Sequence, residues 1–189
     1  MASIPPFAAR ISRIAGRRSV AWRWFIDLFN GSEELFDDIR GGQFGVQLRE
    51  FFAEIGQEPL AHGPLMSLDV YSRGSRRRKR EDDYAAFYRD HETFLADSHL
   101  VDTLHTMSRL CQRESAAWAA GDLDGGRDAR KDEFKVLETG LEAELNELCR
   151  RMISEAQSHV WRTLGRLLLV FVATETGHQS SLPKPGRFG

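Results

Sequence analysis

The side chains able to do chemistry in this 189-residue chain are its six histidines, two cysteines and scattered acids, and their spacing argues against catalysis. His99 and His105 stand six positions apart, about 240° around a helix that turns roughly 100° per residue, so they cannot share a metal from one face. Cys111 and Cys149 have no neighbour at zinc-ligand spacing. Each lies within a helical apolar pattern, where a cysteine behaves as a small buried hydrophobe in a reducing compartment. There is no Gly-rich phosphate loop, no H-E-x-x-H and no nucleophile elbow. Glu138, Glu142 and Glu144 fall on the polar side of a helical repeat, and a solvated face accounts for them. Nothing activates a nucleophile or positions a general base, so the chain reads as a non-enzyme.

The strongest local anomaly is basic. Arg73, Arg76, Arg77, Arg78, Lys79 and Arg80 place six cations within eight residues. Such a run suits an anionic partner segment or a phosphate-bearing cofactor, with Arg76, Arg77 and Arg78 as the contacts. Nucleic acid is the other class of partner, which would make the chain a nucleic-acid-associated helical regulator. Against that, Glu81-Asp82-Asp83 follows at once, no aromatics interleave for base stacking, and the whole chain carries a formal charge of −2. A solvated, partly neutralised loop is the plainer reading, and nucleic acid is not the expected partner.

The N-terminus is also cationic, with Arg10, Arg13, Arg17, Arg18 and Arg23 and no acid before Asp27. Arg17-Arg18 has the look of an export signal, but the segment after it, Val20 to Asp27, is interrupted by charge where a translocated h-region would be uncharged. A first helix with Trp22, Phe25, Ile26 and Phe29 on one face fits better. The longest apolar run, Leu167 to Ala173, is seven residues, against about 20 for a membrane span. A cytoplasmic protein is expected.

Helical periodicity covers almost everything after residue 18. Asn30-Gly31 closes the first helix and Ser32 caps the next, with Glu33 and Glu34 where the dipole favours anions. Leu48, Phe51, Phe52 and Ile55 mark a third. Pro and Gly from Glu58 to Pro64 indicate a loop, and Leu65 to Tyr71 an extended connector. Tyr84, Phe87 and Tyr88 begin an aromatic stripe, and Leu100, Leu104, Met107, Cys111 and Trp118 extend another. Gly121 to Gly126 reads as a loop, then Phe134 to Met152 as a long helix. The last helix, Val160 to Thr176, is apolar nearly all round and is expected at the centre. The expected architecture is all-α: a single domain of about seven to nine helices over residues 19–176, with an arm at 1–18, a hinge at 60–82 and a disordered tail at 177–189.

In this order the landmarks resemble the TorD/DmsD/NarJ family of redox-enzyme maturation chaperones. The likeness runs through Trp22-Arg23-Trp24-Phe25-Ile26-Asp27-Leu28-Phe29, Glu33-Glu34-Leu35-Phe36, Leu48-Arg49-Glu50-Phe51-Phe52, Leu68-Asp69-Val70-Tyr71, Asp83 to Arg89, Cys111 to Asp122 and Ala156 to Phe171. Ala96-Asp97-Ser98-His99-Leu100 stands where the family has a Pro-Asp-His turn, without the proline. The resemblance implies a cytoplasmic chaperone, monomeric or domain-swapped at the hinge. Its partners would be the twin-arginine signal peptide and apo catalytic subunit of a molybdopterin-dependent oxidoreductase, held until the cofactor is inserted. It implies no stably bound cofactor, and at most transient contact with a molybdenum cofactor or a guanine nucleotide. On that reading Met66, Tyr71, Tyr84, Phe87 and Tyr88 would receive the peptide's apolar segment and Asp69, Asp97 and Asp102 would meet its arginines, with Val70 and His99 in the same peptide site.

Overall fold

The computed structural model describes residues 4–41, 43–54, 77–95 and 97–180. Among the described residues every regular element is helical and none is a strand. In chain order the helices are α1 (Pro6–Asn30), α2 (Glu33–Gly41), α3 (Gln43–Glu54), α4 (Arg77–Thr93), α5 (Ser98–Ala120), α6 (Leu123–Val136), α7 (Glu142–Glu155) and α8 (His159–Ser180). A π-helical turn, Leu137–Leu141, joins α6 to α7. The all-α expectation holds. No helix among the described residues is long and apolar enough to cross a membrane.

The expected arm at 1–18 is corrected first. Helix α1 begins at Pro6, where a proline's fixed φ suits the opening turn. Its first half lies along α5 through small residues. Ser12 Oγ donates to the Ser115 carbonyl at 2.9 Å and Ser115 Oγ returns the bond to the Ser12 carbonyl at 2.8 Å. About two turns further on, Ser108 Oγ donates to the Ser19 carbonyl at 3.1 Å. Ala15 is buried between these pairs and Ala8 one turn before the first, and short side chains are what permit so close an approach.

Three boundaries also differ from expectation. Helix α4 starts at Arg77, so the last part of the expected hinge is helical, which suits a run of Arg, Lys and Glu with good helix propensity. Only Gly121 of the expected 121–126 loop caps α5 in the left-handed region; Asp122 then caps α6, accepting from Gly125 N at 2.9 Å. Gly177 does not stop α8. It is absent from the positive-φ glycines, and a glycine ends a helix only by entering that region.

Helix α8 supplies the centre, as its apolar composition implies. Near its start Trp161 meets Phe87 and Phe94, with ring centroids 5.7 and 5.8 Å apart, and its indole N–H donates to the Phe87 carbonyl at 2.9 Å. Asp90 of α4, also buried, accepts from Gln157 N at 3.0 Å and Ser158 N at 2.6 Å, fastening the turn that launches α8. Ten residues on, Phe171 meets Trp22 and Phe25 of α1 and Phe51 of α3 at 4.8, 5.7 and 5.8 Å.

Helix α1 ends on Gly31 at φ 71°, with Ser32 N donating back to Asp27 O at 2.9 Å. A Cβ here would stand 2.7 Å from the His91 ring, whereas one on Gly121, at φ 76°, would meet nothing within 4 Å. Gly121→Ala is therefore expected to lower stability by about 1 kcal/mol, the left-handed backbone penalty alone, and Gly31→Ala by about 1–3 kcal/mol more through overpacking. Urea unfolding of the two variants measures the difference; equal losses would contradict the role given to His91.

Candidate functional site

Each of four helices carries a charged residue on an otherwise buried face. On α1, Arg18 lies between Ala15 and Trp22. On α5, Glu114 falls in the buried stripe between Cys111 and Trp118. Arg130 and Glu133 sit a turn apart on α6, and Glu175 follows Phe171 and Val172 on α8. None of the five is more than 9% exposed.

Arg18 is the hub. Its Nε donates to Glu175 Oε1 at 2.6 Å and its Nη2 to Glu175 Oε2, making a two-pronged pair. Nη1 donates to Glu114 Oε2 at 2.8 Å and Nη2 also to Glu133 Oε2 at 2.6 Å. Arg130 Nη1 donates to Glu133 Oε2 at 2.9 Å and approaches Glu114 Oε2 at 3.5 Å. Trp118 Nε1 donates to Glu114 Oε1 at 3.3 Å. Burial opposes the charge on Arg18, yet Glu175 and Glu133 outweigh it and hold its pKa well above the ordinary arginine value. Burial first, and repulsion from Glu133 second, raise Glu114 to about 7 against the pull of Arg18 and Arg130. Burial also pushes the Cys111 thiol well up, although Arg18 acts the other way.

The Cys111 sulfur and one oxygen each of Glu133 and Glu175 lie within 4.8 Å of one another, a spacing that could hold a metal. Their chemistry fits one poorly. Both Glu175 oxygens and one of Glu133 already face the Arg18 guanidinium, and Cys111 is held as a thiol where a metal needs a thiolate. What this arrangement does is clamp four helices about one cation.

A second feature is apolar. Between α1, α3 and α8 runs a narrow, nearly closed apolar cleft lined by Trp24, Phe44, Leu48, Phe51, Leu164 and Phe171, among other apolar side chains, and all of its lining except Trp24 is buried. Trp24 is only half-buried and stands edge-on to Phe44 and Phe51, centroids 5.6 and 5.8 Å away. Asp27 lies one turn beyond Trp24 on α1. Its pKa is raised, chiefly by burial and also by Glu34 of α2, against Arg23 and His105.

The residues expected to hold a peptide are dispersed. Met66, Asp69, Val70, Tyr71 and Arg76 lie outside the described residues, while Arg77, Arg78 and Tyr84 fall within α4. Phe87 is a core residue, packed on Phe36 at 4.9 Å and on Trp161. Tyr88 is 42% exposed beside Phe36. Asp97 caps α5, its Oδ1 accepting from Leu100 N at 2.8 Å. His99 and Asp102 are exposed on the same helix. Motif logic points to neither the Arg18 cluster nor the cleft. The signal for the cluster is a lone charge at a core register of an apolar helical stripe, repeated with both signs on four helices. No protein-family model matches the chain, and no curated protein or solved structure matches it.

Arg18→Met leaves three buried carboxylates around Arg130 alone and is expected to cost about 3–5 kcal/mol, while exposed Arg13→Ala stays within about 0.5 kcal/mol. Chemical denaturation reads both; a loss under about 1 kcal/mol for Arg18→Met would show that the cluster does not hold the helices together. A second expectation concerns His91, whose pKa burial lowers from 6.5. The folded state binds this proton less tightly than the unfolded chain, so its contribution is present above about pH 6.5 and lost as pH falls below it. His91→Gln should flatten the unfolding profile on the acid side, and an unchanged profile would contradict it.

Proposed function

We infer that this chain is a non-catalytic helical chaperone of the TorD/DmsD/NarJ kind, acting in the cytoplasm on the twin-arginine signal peptide and apo catalytic subunit of a molybdopterin-dependent oxidoreductase. One observation carries the reading. Three segments far apart in sequence, each of which supports the resemblance, pack into one apolar cluster: Trp24-Phe25 on α1, Leu48 with Phe51-Phe52 on α3, and Leu164 to Phe171 on α8. Its lining is buried except at the half-buried Trp24, so the apolar h-region of a leader peptide would meet the cluster at Trp24, and the helices would have to part to admit it further. Asp27, one turn from Trp24, and nearby Glu34 put carboxylates where the peptide's arginines would need them. On this reading the arginine-binding acids are Asp27 and Glu34 more than the expected Asp97, whose carboxylate is committed to its helix cap.

Isothermal titration with a synthetic twin-arginine signal peptide of a molybdopterin-dependent oxidoreductase tests the proposal. The wild-type chain is expected to bind, with a negative heat-capacity change. Trp24→Glu should abolish binding while helical circular dichroism is kept, and Asp27→Asn should weaken it about tenfold or more. No binding by the wild type, or unchanged binding by Trp24→Glu, would contradict the proposal.

A further inference from the structure

Two guanidiniums and three carboxylates meet in the Arg18 cluster. Fully ionised, they leave one negative charge uncompensated in a place that water does not reach, and such a charge is strongly disfavoured. The hydrogen bonds point to the same deficit. Glu133 Oε1 is buried and has no partner. The described bonds from Arg18 and Arg130 to this side chain go to Oε2, and the Trp118 indole donates to Glu114. The group placed to fill the gap is another carboxyl: Arg18 and Arg130 each face Oε2 of both Glu114 and Glu133, which sets the two carboxyl groups side by side. A proton on one of the two would supply the missing donor and cancel the extra charge together.

We propose that Glu114 and Glu133 share one buried proton in the folded protein, which makes the cluster neutral, and that losing this proton weakens the seat of α1 on α5, α6 and α8. The groups facing the pair are Arg18 from α1, Cys111 on α5, Arg130 on α6 and Glu175 from α8. Glu175 is held by both prongs of Arg18, and burial keeps Cys111 a thiol. The device reaches beyond the cluster because α1 also carries Trp24 and Phe25. Six residues of helix, about 9 Å, separate Arg18 from Trp24.

The sign follows from the two states. Glu114 binds its proton with a pKa of about 7 when folded, raised chiefly by burial, against 4.5 ordinarily. The stabilisation is therefore fully present below about pH 4.5 and is lost as pH rises through about 7, a span of about two orders of magnitude in the folding equilibrium. Ordinary paired carboxylates give the opposite trend.

Urea unfolding of the full chain from pH 5 to 8.5, wild type against Glu114→Gln, tests this. The glutamine oxygen keeps the Arg18 bond and its amide N–H is free to donate to Glu133, at the loss of the longer Trp118 contact and without charge at any pH. The wild type is expected to lose about a hundredfold in its folding equilibrium across this range relative to the variant, which should be the more stable at pH 8.5. Parallel curves, or a less stable variant at pH 8.5, would overturn the proposal. Should the variant fail to fold, the carboxyl ¹³C titration of the wild type decides. A glutamate with its midpoint near 7 supports the shared proton, and all glutamates titrating below about 5.5 refute it. Zinc added to the wild type is a third arm: a rise in melting temperature that Cys111→Ser abolishes would assign the cluster to a metal and overturn the proposal.

Discussion

The structure depends on the burial of one guanidinium. Arginine cannot shed its charge in a protein, so Arg18, 2% exposed, has to be met by anions wherever α1 lies. The three that meet it come from α5, α6 and α8. Each helix must therefore present its glutamate at one point, which fixes rotation and height along the axis as well as proximity. Apolar stripes alone tolerate sliding by a turn; a hub with a two-pronged partner does not. Burying the ions costs several kcal/mol each, so the cluster contributes registration more than net stability.

That registration has consequences at both ends of α1. On either side of Arg18 the Ser12–Ser115 and Ser19–Ser108 contacts fasten α1 to α5. Toward the C-terminus α1 delivers Trp22 and Phe25 to Phe171, Trp24 to the cleft, and Gly31 to His91. Helix α8 is held in turn by Asp90 and Trp161 at its start and by Glu175 near its end. Two of the three helices around the apolar cleft, α1 and α8, are thus fastened along their length, and α3 completes it through Phe44, Leu48 and Phe51.

Much of this was legible beforehand, for definite reasons. Helical periodicity in stripes such as Leu100–Leu104–Met107–Cys111 reports directly on a buried face, and Asn30-Gly31 with Ser32 is local chemistry that needs no tertiary partner. The central place of α8 follows from a surface apolar nearly all round. What failed was what depends on other helices. Residues 6–18 belong to α1 because Arg18 sits one turn from buried Ala15 and Trp22 and shares their face, which a run of arginines does not reveal. Glu114, Glu133 and Glu175 form no motif because they lie on three different helices, and only folding brings them together. The π turn at Leu137–Leu141, with Gly140 at φ 137°, left the apolar spacing of Leu137, Leu141 and Leu145 intact and so gave no sign. Phe87 and Asp97 show the converse: an aromatic stripe and a turn acid serve core and cap before they can serve a ligand.

Native-state hydrogen exchange along α1 tests most directly whether the buried guanidinium organises the fold. If Arg18 seats the helix, amides from about Ile11 to Trp22 exchange as slowly as those from Leu164 to Phe171, through the same global opening. Fast exchange confined to residues ahead of Ser19, with the rest of α1 protected, would mean that the first half of the helix is a loose arm and that the cluster does not hold the molecule together.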